Sequence, residues 1–269
     1  MAEKIKLSFC SKKVSIQINN ARMYSQKVIV DLDCSCHDIK VYSENNKDSF
    51  EIFVYFIYGQ CNPNSIKRNR QVGFLSVIRH LLKIFRCKLS INNDYNSYSF
   101  EKTISELFDL QMEFKTLTIN FNRAEDQLLL WNQISNKLGM VEDLLFLSSC
   151  DADFIPVFTS WPQTITIMNS NWFTLQTLLV CPCSSINLQK SRLENRDLDE
   201  ILKNWKSGGF PNLERLIMHS QRFTNSGRTI MGMSLLELDW KVIQTDDGSK
   251  KAIISSRGQC IVMSVTPSE

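Results

Sequence analysis

Cys34-Ser35-Cys36-His37 is the one stretch where cysteine and histidine cluster. A structural zinc takes four ligands, usually with about two to four residues between the first two. One residue separates Cys34 from Cys36, and no second pair has fitting spacing. The cluster therefore predicts a strand-connecting loop and no metal. Cys181-Pro182-Cys183 is equally short. A thioredoxin-type pair has two intervening residues at a helix start, where the thiol is activated. Here the residues predict a tight turn returning the chain to a sheet. The three histidines, His37, His80 and His219, have no partner motif. His80 falls inside an apolar helix and His219 is expected just after a strand. G-x-S-x-G, G-x-G-x-x-G and P-loop patterns do not occur. Nine glycines leave little material for a phosphate cradle. The reading is of a chain that is not an enzyme, with no catalytic residue and no cofactor. An enzymatic alternative would rest on Cys181 or Cys183 and would show as unusually fast thiol alkylation.

The 269 residues fit one elongated domain or two small ones. The hydrophobic share of 43% can fill a large core, and 22% charge keeps the surface soluble. Thirty-one basic against 28 acidic residues give a net charge of +3. That balance argues against nucleic acid as a partner. Lys67-Arg68-Asn69-Arg70 reads as a solvated loop, with nuclear import or an acidic contact as the functional alternative. MAEKIKLSFC lacks the apolar segment of a secretory signal, and no apolar run approaches membrane-helix length. A cytoplasmic or nuclear location with no membrane partner is expected. The nine cysteines, odd in number and irregular in spacing, are then expected as free thiols.

The elements that would carry these residues begin with strands at 27–32, 38–42 and 50–58, where apolar and β-prone residues dominate. They predict a small antiparallel sheet, followed by a turn-rich basic loop over 59–71. Val72, Leu75, Ile78, Leu82 and Phe85 then recur at helical steps, with Val77, Leu81 and Ile84 widening the face. Short strands centre near Ile91, Ile119, Leu147, Ile167, Leu188 and Ile217, at steps of 28, 28, 20, 21 and 29 residues. Leucine-rich repeats run about 20–29 residues with one strand each. Ile104, Leu107 and Phe108 mark a helix between strands. Leu128, Trp131 and Ile134 mark another, and Thr174 to Leu179 a shorter one.

The clearest helix carries Leu198, Ile201, Leu202 and Trp205 on one stripe. Asn195 is its expected N-cap. Asp197, Asp199 and Glu200 near its start, and Lys203 and Lys206 near its end, complement the helix dipole. Ser207-Gly208-Gly209 and Pro211 close it. Downstream, three strands around Asp247-Gly248 read as a meander capping the sheet. The five tryptophans, Trp131, Trp161, Trp172, Trp205 and Trp240, are expected in cores or at edges. The fold class is α/β: an irregular leucine-rich-repeat-like curved sheet with outer helices, flanked by small antiparallel β segments at both ends.

Asn171-Trp172-Phe173-Thr174-Leu175, Leu178-Leu179, Ile186-Asn187-Leu188 and Ser191-Arg192-Leu193 stand in a fixed order. They are followed by Asp197-Leu198, Leu202-Lys203, Trp205-Lys206-Ser207-Gly208-Gly209, Pro211 and Leu213-Glu214. This run resembles the F-box-associated (type 2) domain of the large nematode F-box family, and weaker resemblance covers most of the chain. It implies a residual closing part of an F-box, truncated at the N-terminus, over 1–22, with Leu7, Phe9 and Cys10 as remnant adaptor contacts. The associated domain would span 23–269: a β segment at 23–60, strand-helix repeats at 72–220 and a meander at 236–265. The implied function is substrate recognition in a Skp–cullin–F-box ubiquitin ligase. A stand-alone binding module uncoupled from the ligase is the alternative. The target would meet strand ends and the loops after them, at Lys190, Arg192, His219, Gln221 and Arg222. Asn169 and Asn171 lie in the same zone, where asparagines more often cap turns.

Overall fold

The computed structural model describes residues 28–33, 38–43, 49–53, 63–84, 87–92, 98–110, 112–120, 124–148, 155–226 and 228–268. The Cys34–His37 cluster and Leu7, Phe9 and Cys10 lie outside them. The chain divides into two compact units, Met1–Asn120 and Phe121–Glu269. The predicted repeat region, 72–220, spans that division.

In the first unit, β1 (Val28–Asp33), β2 (Asp38–Ser43) and β3 (Ser49–Phe53) form the expected antiparallel set. Strand β1 also pairs in parallel with β4 (Cys87–Asn92), and β4 with β5 (Phe114–Ile119). Helix α1 runs from Pro63 to Ile84. The predicted basic loop is thus helical backbone from residue 63 onward. Proline is tolerated there because the first helical N–H has no intrahelical partner in any case. The buried face of α1 carries Phe74, Leu75, Ile78 and Leu81, while Val72 is 60% exposed. The three- and four-residue steps were right, but the stripe was anchored on the wrong residue. In α2 (Tyr98–Asp109), Ile104, Leu107 and Phe108 are all buried as expected. Arg79 of α1 pairs with Glu106 of α2 at 3.1 Å. Within β1, alternation places Val28, Val30 and Leu32 inward and Asp31 on the other face, opposite Ser90 and Lys40. Burial raises the Asp31 carboxyl above its ordinary value, outweighing its bond with Ser90 and the Lys40 charge.

The second unit begins with α3 (Ala124–Ile134) and β6 (Val141–Phe146). There follow β7 (Thr164–Ile167), α4 (Leu175–Leu179), β8 (Ser185–Ser191), α5 (Asn195–Lys206) and β9 (Arg215–Ser220). Strands β6 to β9 pair in parallel, as strand–helix alternation requires. The buried rungs are Leu144–Ile165–Ile186–Leu216 and Phe146–Ile167–Leu188–Met218. On α3 the buried residues are Leu130, Trp131 and Ile134. Leu128, expected on that stripe, is 53% exposed. Trp131 donates through Nε1 to the Val157 carbonyl at 2.9 Å and meets Phe146 and Phe158 edge-on. Phe158 in turn stacks on Trp161, their centroids 4.3 Å apart.

Strands β10 (Lys241–Gln244), β11 (Lys250–Arg257) and β12 (Cys260–Pro267) form the predicted meander. Its last strand joins β9, antiparallel, so the order is β9-β12-β11-β10. The sheet is thereby extended until β10 forms its margin. Gly248, at φ 73°, makes the turn between β10 and β11.

Candidate recognition surface

The predicted surface residues gather at the carboxyl ends of β8 and β9, because Ser191 and Ser220 are register partners. A serine recurs where the strands end. Ser148, Ser170, Ser191 and Ser220 follow β6 and β7 or close β8 and β9, and all are buried. Each buried hydroxyl needs a partner. Ser170 donates through Oγ to the Gln189 carbonyl at 2.8 Å, and Ser220 to the Leu193 carbonyl at 2.6 Å. Ser191 Oγ accepts from the Leu193 N–H at 3.1 Å. The Ser170 and Ser220 bonds pin their turns to a neighbouring segment, and the Ser191 bond closes its own turn.

Lys190 sits in this geometry through a β-bulge. Leu188 pairs with Met218 and Ser191 with Ser220, so two residues of β8 face one of β9. The extra residue explains its backbone, φ 53°, which is uncommon for a side chain larger than glycine. It also keeps Ser191 buried, since alternation alone would turn a residue three beyond Leu188 outward. Lys190 Nζ donates to Asn169 Oδ1 at 3.1 Å, and Asn169 Nδ2 donates to the Leu147 carbonyl at 2.9 Å. Asn169 is thus a turn brace between strands. Asn171 is exposed in the following turn. Arg192, Gln221 and Arg222 are exposed, and the Arg222 N–H donates to Ser220 Oγ at 3.2 Å. His219 lies inside β9 instead of after it, half-buried and opposite Cys260.

Helix α5 supports this end. Its N-cap is Glu194, and Asn195 is the first helical residue, correcting the expected cap. Asp197 Oδ2 accepts from the Glu194 N–H at 2.9 Å. Asn195 has a different task. Its Nδ2 donates to the carbonyls of Thr224 and Arg228, at 2.8 and 3.1 Å, and its Oδ1 accepts from the Thr224 N–H. This holds the loop after β9. Asp199 accepts from the Met231 N–H and from Lys203 Nζ, both at 2.7 Å. Burial pushes its carboxyl up, but the Lys203 and Met231 bonds and the Lys203 and Arg228 charges leave it below the ordinary value.

The opposite, outward face of β6–β9 was missed in the sequence. Asp143, Leu145, Thr164, Thr166, Asn187, Gln189 and Ile217 alternate with the core residues and are half-exposed. Polar pairs within it satisfy one another. Thr164 Oγ1 donates to Asp143 Oδ1 at 2.5 Å and Gln189 Nε2 to Asn187 Oδ1 at 2.7 Å. Period-two alternation was the signal available for finding it.

Cys181 and Cys183 lie between α4 and β8, both 2% exposed. Cys183 donates through Sγ to the Pro162 carbonyl at 3.1 Å. Its thiol is pushed well up, first by its hydrogen bond with Cys181 and then by burial. His80 is half-buried in α1, and burial followed by the Lys83 charge lowers its pKa. Among the described residues, no group of three or more His, Cys, Asp or Glu side chains is placed to hold a metal. No described helix is long and apolar enough to cross a membrane. A cavity of about 550 Å³ opens at the amino ends of β8 and β9, lined in part by Pro182, Asn212, Glu214, Lys250 and Thr266. Lys250 Nζ is engaged there by the Pro211 carbonyl.

The deciding comparison falls on the middle of the second unit. Residues 156–218 match the sequence model of a family described as F-box associated. The matched segment contains β7, α4, β8 and α5 and runs through Met218 of β9. It covers about a quarter of the 269 residues and holds Lys190 and Arg192, while His219, Gln221 and Arg222 follow it. No curated protein and no solved structure matches the chain.

Proposed function

We propose that this chain recognises a partner protein, as the substrate-recognition subunit of a Skp–cullin–F-box ubiquitin ligase. The match over residues 156–218 carries the reading, since segments of that description accompany F-box proteins. On this reading the second unit is a leucine-rich-repeat-like display, each strand and helix a unit stacked on the next. The braced carboxyl ends of β8 and β9 hold Lys190, Arg192, His219, Gln221 and Arg222 toward a target. Leu7, Phe9 and Cys10 contact a Skp-type adaptor, residues 1–22 being the end of an F-box of the nematode type. Residues 23–269 form the associated domain. The protein catalyses nothing itself and raises the effective concentration of target beside the ligase's conjugating partner, in cytoplasm or nucleus.

The test is paired. Purified chain is offered a Skp-type adaptor, and proteins retained from cells are compared between wild type and the Arg192→Glu/Arg222→Glu double variant. Adaptor binding together with a retained protein lost at least about tenfold in the variant supports the reading. Retention without adaptor binding leaves a stand-alone binding module. Absence of any variant-sensitive protein removes recognition at this end of the sheet.

A further inference from the structure

The outward face changes character beyond β9. Register places Arg215, Ile217 and His219 of β9 beside Ser264, Val262 and Cys260 of β12. These continue into Ile253, Ser255 and Arg257 of β11, with Lys251 one step further, and into Val242 and Gln244 of β10. The alternate residues Leu216, Met218, Ile261, Met263, Ala252, Ile254 and Ile243 are buried, so the first set shares the solvent side. Val242 and Ile253 are cross-strand partners and are 55% and 46% exposed. Trp240, immediately before β10, is 64% exposed. Among these outward side chains Arg215, Lys251 and Arg257 are basic and none is acidic.

An exposed aliphatic pair beside three basic side chains, with no acidic one among them, offers both apolar and charged contact. We infer that the outward face of β9, β12, β11 and β10 binds a protein segment in which acidic residues flank apolar side chains. This rests on the partner-recognition reading and names both the face and the partner's chemistry. Charge complementarity selects the acidic flanks, and the Val242–Ile253 pair the apolar centre. A nucleic acid would meet the same cations. A base could stack on Trp240, but a nucleic acid would leave the Val242–Ile253 aliphatic pair without the apolar side chains that a peptide brings.

The experiment is selection from a random-peptide library on the full chain, followed by anisotropy on the selected peptides. Expected are sequences rich in Asp and Glu around Leu, Ile or Phe. Their affinity should fall about tenfold in the Arg215→Glu/Arg257→Glu variant and on raising salt. Val242→Ser/Ile253→Ser should weaken them without changing the salt dependence. Far-UV circular dichroism checks that each variant folds, and all four positions are solvent-facing. Selected peptides that ignore these variants but are lost in Arg192→Glu/Arg222→Glu would overturn the face while leaving partner recognition intact. No selected peptide, with no protein retained from cells, would remove both. Equal, variant-sensitive binding of single-stranded oligonucleotide would show a surface that reads charge alone and would overturn the assignment.

Discussion

Strands β7 to β9 and the meander that follows belong to one sheet of the second unit, yet they present different outward faces. In the first region hydroxyls, amides and turn carbonyls are consumed internally, by Ser170, Ser191, Ser220, Asn169 and Asn195. In the second, Val242, Ile253 and Trp240 stand in solvent, and Lys251 and Arg257 share one side with Arg215 at the start of β9. The family match ends at Met218, inside β9. The contrast separates two duties. Internal hydrogen bonding fixes a frame, and exposed unsatisfied surface is where contact energy remains available.

Two tryptophans give the sharpest test of that contrast. Trp205, 1% exposed on α5, should cost about 3–5 kcal/mol on replacement by alanine in chemical denaturation. Trp240→Ala should stay within about 0.5 kcal/mol. Similar losses at both would break the comparison. Next in size is Asp199→Asn, which removes the charge bonded by Met231 and Lys203 and should cost about 1–3 kcal/mol. Because the folded carboxyl titrates below 3.8, its contribution is present above that pH and is lost as pH falls through the lower folded value. The difference from wild type should therefore be largest at neutral pH and shrink in acid. Asp31 has the opposite sign: its raised carboxyl contributes below 3.8 and loses that contribution as pH rises through the folded value. Asp31→Asn should accordingly raise the melting temperature at neutral pH. Smallest is Lys190→Gly. It relieves a positive φ and forfeits one exposed bond to Asn169, so a net change below about 1 kcal/mol is expected. A larger destabilisation would mean that the Lys190–Asn169 brace outweighs the backbone strain.

The alternation of strand and helix was legible because it is written in local periodicity. The α5 stripe and the Asp247-Gly248 turn announced themselves. Leu128, Val72 and the stretch 63–71 misled for related reasons. A helical period fixes spacing but not which side the sheet lies on, and charged residues after a proline suit a helix start as well as a loop. Asn195 had the chemistry of a cap, yet the loop around Thr224 claimed its side chain. The pairing of β12 with β9, and hence the shared face of Arg215 and Ile253, depends on which strands meet. No local window contains that information.

The bulge at Lys190 also bears on how this sheet can change length. A strand's interior counts residues in twos, and one insertion ordinarily exchanges inside for outside along everything that follows. Here the added residue is absorbed where it stands, and the count resumes at Ser191 in step with Ser220. The end of β8 therefore works as a parity joint. It lets the chain carry one more outward side chain than β9 does, in front of the same buried serine.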